Sequence, residues 1–75
     1  MFQIHYVVSR ESDQPVEKET SAADTLDVAA AGARSRIHQI NITIPENPAR
    51  PNPCGFLIFD ASGARLLRRE YMGQP

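Results

Sequence analysis

The sequence predicts a two-layer α+β domain: a mainly antiparallel sheet of four to five strands with one helix on one face, in the order β-β-α-β-β-β. Three observations lead there. Phe2, Ile4, Tyr6 and Val8 alternate with Gln3, His5, Val7 and Ser9, the period of a strand with one buried face. Leu26, Ala29, Ala30, Ala33 and Ile37 form one stripe of helical period. Residues 55–71 read as a β-hairpin whose strands are apolar on both faces, and a single helix can cover only one of them.

Seventy-five residues make one domain, 1–75. A chain this short buries only about 60% of its unfolded surface, and its core supplies a few kcal/mol, a shortfall that oligomerisation commonly offsets. The net charge of −1 conceals a split. Residues 1–31 sum to 2 − 6 = −4 and residues 32–75 to 6 − 3 = +3. Such asymmetry marks a basic binding face or cancels within the fold or between subunits. A single cysteine, Cys54, forms no internal disulfide, and neither a secretory leader nor a membrane span is legible, so a cytoplasmic protein is expected. Seven arginines to one lysine, with frequent alanine, accompany GC-rich bacterial coding.

After the first strand, Arg10–Pro15 reads as a turn. Residues 16–20, with Glu17, Lys18 and Glu19, suit an edge strand, where charge discourages unwanted pairing. Ser21 and Asp24 form an approximate capping box for the helix. Asp24 and Asp27 then favour its N-terminal end, and Arg34 and Arg36 its C-terminal end. Gln39 to Ile44 alternates again, with Ile40, Ile42 and Ile44 on one side, and is expected to be a strand. Residues 45–55 hold four prolines and read as a surface loop.

Asp60-Ala-Ser-Gly63 suits a type I turn with Gly63 at positive φ. That turn would pair Asp60 with Ala64, Ile58 with Leu66, Leu57 with Leu67 and Phe56 with Arg68. One face of the hairpin then shows Leu57, Phe59, Leu67 and Tyr71, flanked by Arg65 and Arg69. The other shows Phe56, Ile58 and Leu66, with Arg68 among them. The first is assigned to the helix, because its arginines can reach water past the rim. Phe56, Ile58 and Leu66 are thereby the expected partner interface.

Residues with chemical potential mostly have structural readings. Cys54 lacks a neighbouring base or resolving thiol. His5 and His38 show no paired-ligand spacing, so neither a metal nor another cofactor is expected. His5 falls on the polar side of the first strand, and His38 near the end of the helix. No phosphate-cradling glycine loop, zinc-protease helix motif or nucleophile elbow is present. Arg65, Arg68 and Arg69 are a candidate nucleic-acid contact, opposed by a sequence pI near 6.0 and by the intervening Glu70.

Ser21-Ala-Ala-Asp-Thr-Leu-Asp-Val-Ala-Ala-Ala-Gly-Ala-Arg-Ser-Arg-Ile37 resembles the capped helix of the HicB-type antitoxins, which carries alanines on its inner face. The resemblance covers 17 of 75 residues, without that family's third strand before the helix. It implies a protein-binding role such as neutralising an RNA-cleaving toxin. The expectation from the residues is a non-enzymatic interaction or regulatory module, homodimeric or bound to another protein. The alternative is a nucleic-acid-binding protein using the hairpin arginines.

Overall fold

The computed structural model describes residues 1–9, 11, 14–43 and 51–72. Its elements are β1 (Phe2–Val7), β2 (Glu17–Ser21), α1 (Leu26–Thr43), β3 (Gly55–Phe59) and β4 (Leu66–Tyr71). The strands make one antiparallel sheet in the order β2-β1-β3-β4, and α1 packs on one face. The α+β two-layer architecture is the expected one, with four strands. β2 takes an edge, as its charged sequence suggests.

The core lies between sheet and helix. Ile4 and Tyr6 of β1 stand beside Ile58 and Phe56 of β3, their ladder partners, so four large side chains meet on one face. Ala29, Ala30, Ala33 and Ile37 of α1 close over them. Small residues in that stripe let the helix axis approach the sheet. Each large side chain so buried contributes about 1.5–3 kcal/mol.

The helix begins later and ends later than its sequence suggests. Thr25 is the cap: its Oγ1 accepts from the Val28 N–H at 3.2 Å, and its carbonyl accepts from Ala29 at 3.1 Å. Ser21 instead ends β2, its Oγ accepting from the Ala23 N–H at 3.2 Å. At the other end the strand expected over residues 39–44 is not there. Gln39–Thr43 complete α1, and Ile44 lies outside the described residues. Ile40, three positions after Ile37, continues the inner stripe and is half-buried, while Ile42 is 64% exposed. Extending a formed helix adds one hydrogen bond per residue fixed. The propensity cost of an isoleucine, about 0.5 kcal/mol, does not reverse that.

The β3–β4 connection keeps the expected glycine but not the expected register. Gly63 has φ +78°, and Asp60 Oδ1 accepts from the Ser62 N–H, the Ser62 hydroxyl and the Ala64 N–H. The loop closes through the Asp60 N–H to Arg65 carbonyl bond, one residue later than foreseen. A bulge between Ile58 and Phe59 then skips Leu67, so that Ile58 faces Arg68 and Phe56 faces Glu70. The two shifts of one residue preserve parity. The grouping by face therefore stands except for Leu66, which the bulge pairs with Phe59 and not with Ile58, and the layer assignment is reversed: α1 covers Phe56 and Ile58.

Of the proline-rich loop, residues 45–50 lie outside the described residues, and Pro51–Cys54 have no regular structure. Cys54 still extends the ladder, its N–H donating to the Val7 carbonyl at 2.9 Å and its carbonyl accepting from Met72 at 2.6 Å.

Candidate functional site

Charge is sorted by layer. In β2, alternation turns Glu17 and Glu19 toward the helix and Lys18 and Thr20 away from it. Glu17 pairs with Arg36 of α1, and Glu19 accepts from the Tyr6 hydroxyl at 2.6 Å. Burial, and then that hydrogen bond to a carboxylate, push the Tyr6 phenol far above its usual range. In β4, Arg68 and Glu70 face the same layer. Arg34 grips Glu70 with two bonds of 2.9 and 3.0 Å, and Arg68 bridges Asp27 and Glu70 at 2.9 and 3.0 Å. The Arg34 guanidinium holds the Glu70 carboxyl below the ordinary carboxylate range.

The opposite face of the sheet has no element across it among the described residues. One row crosses all four strands there: Lys18, His5, Leu57 and Arg69, each the ladder partner of the next. Beside it lie Thr20, Gln3 and Phe59, with Thr20 Oγ1 donating to Gln3 Oε1 at 3.3 Å. His5 and Phe59 touch, their ring centroids 4.6 Å apart with the planes inclined at 43°. Val7 and Leu57 are buried at 0% and 3% exposure yet stand apart from the helix-side cluster. Phe59, Leu67, Tyr71 and His5 are half-buried around them, and Lys18 and Arg69 are exposed. Burial, and secondarily the Lys18 charge, hold the His5 pKa below its ordinary 6.5, so the ring is neutral at pH 7. Among the described strand residues, no carboxylate points to this face.

The residues singled out in the sequence are thus separated. Phe56 and Ile58, expected at a partner interface, have 0% exposure beneath α1. Their ladder pairing with Tyr6 and Ile4 ties them to the buried face of β1. Leu66 is 41% exposed at the bulge. Of the three hairpin arginines, Arg68 is engaged on the helix side, Arg69 lies on the uncovered face, and Arg65 is exposed at the hairpin loop. His38 is exposed on α1. Cys54 is a free, half-buried thiol whose Sγ donates to the Val8 carbonyl at 3.1 Å. The pairing of His5 with Phe59 and the isolation of Lys18 from its two glutamates were not singled out from the sequence. The second was legible in the parity of Glu17-Lys18-Glu19.

A concavity of about 370 Å³ lies between Arg36 and Ile40 of α1, Val16 and Glu17, and residues 51–53. Its charged groups answer each other, and it adjoins residues outside the described set. Among the described residues no three His, Cys, Asp or Glu side chains gather as metal ligands, and no helix is long and apolar enough to cross a membrane. Compared with family models, characterised proteins and solved structures, the chain matches none. The resemblance to the HicB-type antitoxins rests on residues 21–37 alone, of which only 26–37 are helical.

Proposed function

We propose that this protein is a small non-enzymatic binding module and that the uncovered sheet face is its working surface. One asymmetry carries the reading. The helix layer holds the strand carboxylates in pairs with Arg34, Arg36 and Arg68, whereas the other layer offers half-buried Phe59, Leu67 and Tyr71 between basic margins. A mixed apolar and charged surface on a rigid sheet suits recognition. We place the protein in the cytoplasm, since its one cysteine is a free thiol and the fold uses no disulfide.

A second copy is the occupant suggested by the hairpin, through Phe59, Leu67 and Tyr71 in place of Phe56 and Ile58. Two magnitudes keep that association weak. At ~3.4 Å per residue and ~4.8 Å per strand, the face projects to roughly 300 Å², against about 800 Å² per partner in a stable interface.

A soluble gadolinium chelate, added to the protein at micromolar concentration, tests the reading by proton relaxation. Side-chain signals of His5, Phe59 and Leu67 should broaden, and those of Phe56 and Ile58 should stay sharp. Equal protection of both sets in a monomeric sample would show that the face is covered and would end the reading.

A further inference from the structure

We infer that the concavity beside α1 binds a compact zwitterion of the amino-acid type. Arg36 receives its carboxylate, Glu17 its ammonium group, and Val16, Ile40, Pro51 and Pro53 its aliphatic body. The site lies in the helix layer, apart from the sheet face, and joins one cation, one anion and an apolar wall in a single recess.

The polar wall is an ion pair with capacity to spare. Among the described residues Arg36 donates to Glu17 through Nη2 alone, while its guanidinium carbon stands 5.9 Å from the centroid of the Tyr6 ring. Ring and carboxylate together fix the guanidinium, which carries five N–H donors in all. Glu17 takes that bond on Oε1, and a carboxylate accepts on both oxygens. The two side chains keep 42% and 36% of their surface, so a ligand can reach both. A lone anion would meet Glu17, with Glu19 close by on the Tyr6 hydroxyl, and a lone cation would meet Arg36. A molecule with both charges a short distance apart instead extends the pair into an alternating set of four.

The apolar wall is tied down on each side. The Val16 N–H donates to the Tyr6 carbonyl at 2.8 Å, Asn41 Nδ2 to the Pro53 carbonyl at 3.5 Å, and the Cys54 N–H to the Val7 carbonyl at 2.9 Å. Pro51 and Pro53 have fixed φ and present no N–H to the recess. Walls already in place need little ordering when a ligand arrives. The volume of about 370 Å³ is at the lower end for small-molecule sites. At ~30 Å³ for each water it equals about a dozen waters, which suits an aliphatic amino acid and excludes a nucleotide.

Amide chemical shifts under titration with L-leucine decide the matter. The comparison ligands are isocaproate, which lacks the ammonium group, isoamylamine, which lacks the carboxylate, and glycine, which lacks the body. With leucine the signals of Glu17, Arg36 and Ile40 should shift with a dissociation constant of about 1 mM. Each comparison ligand should bind at least about tenfold more weakly. Arg36→Gln and Glu17→Gln alter a solvent-exposed pair and leave the fold intact, and each should weaken leucine at least about fivefold. His38→Ser, on the exposed side of α1, should change nothing. A titration without shifts up to about 20 mM leucine would overturn the inference. So would a comparison ligand binding as tightly as leucine, or leucine binding indifferent to both Arg36→Gln and Glu17→Gln. Shifts confined to His5, Phe59 and Leu67 would put the ligand on the sheet face and defeat the inference equally.

Discussion

The ring of Tyr71 lies against the backbone of Gly55, its partner across the β3–β4 ladder. A methyl group at position 55 would stand 2.6 Å from Tyr71 Cδ1 and 2.6 Å from the Glu70 carbonyl oxygen. An aromatic side chain over a strand glycine restores the packing surface that the glycine lacks. The contact also helps to explain why this end of the face is half-buried with no element across it among the described residues.

Gly55→Ala should therefore destabilise the fold by about 1–3 kcal/mol, the usual cost of overpacking. The carbonyl on one side belongs to the ladder and cannot swing away as a side chain can. Urea denaturation measures the loss, and an unchanged midpoint would show that β4 yields easily.

Phe56 and Phe59, three residues apart, should respond in opposite ways. Phe56→Ala removes a fully buried ring and should cost about 3–5 kcal/mol. A domain whose core supplies only a few kcal/mol then unfolds at room temperature. Phe59→Ser lies on the uncovered face and should leave a folded protein with a modestly lower melting point. Far-ultraviolet circular dichroism separates the two, and the reverse outcome would mean that the layers have been exchanged.

Thr25→Ala should lower stability by about 1 kcal/mol, the typical worth of a helix cap. Ser21→Ala should cost less, because that hydroxyl serves a turn after β2. Thermal melts of the two variants locate the start of the helix without a structure.

Cys54→Ser should be neutral within about 0.5 kcal/mol. A serine hydroxyl can donate to the Val8 carbonyl as the thiol does, and the backbone bonds of residue 54 are unaffected. Cys54→Ala loses that donor and should cost about 1 kcal/mol. A large loss for serine in thermal denaturation would assign the sulfur a role that geometry does not reveal.

Acid should weaken the fold in two separate steps. The folded-state pKa of His5 lies below 6.5, so the unfolded chain takes up a proton first as the pH falls. The stability gained by keeping this ring neutral is complete above pH 6.5 and is lost as the pH drops from there through the folded value. Glu70, held below 4.5 mainly by Arg34, contributes fully above that pH and loses its contribution as the pH falls through its own folded value. Melting points across about pH 7 to 5.5 should decline for the parent protein and stay flatter for His5→Gln. Equal declines would shift the first step to another group.

The core stripe of the helix, the first strand and the edge character of residues 17–21 were legible because each is a local pattern with one period. Residues 39–43 were not, because Ile40 and Ile42 alternate like a strand while Ile37 and Ile40 also continue the helix. Periodicity alone does not weigh a new strand against one more turn of a helix already formed. The hairpin faces failed for a different reason. Local sequence groups Leu57 with Phe59 and Phe56 with Ile58, but which pair meets the helix depends on the pairing of β3 with β1 across some fifty residues. Arg68 misled as well, since it seemed to need water and in fact meets Asp27 and Glu70. The candidate face was half-visible: the parity of Lys18 between two glutamates was in the sequence, whereas the meeting of His5 with Phe59 required the β1–β3 register.

The ion pairs of the helix layer act as straps on the two edge strands. Arg36 ties α1 to Glu17 of β2, and at the other edge Arg34 and Asp27 of α1 hold Glu70 and Arg68 of β4. Such exposed pairs weaken as electrolyte screens them, whereas the apolar contacts of the central strands do not. Salt should therefore loosen the rims of the sheet before its middle, and amide exchange in β2 and β4 should quicken with ionic strength while that of β1 and β3 holds.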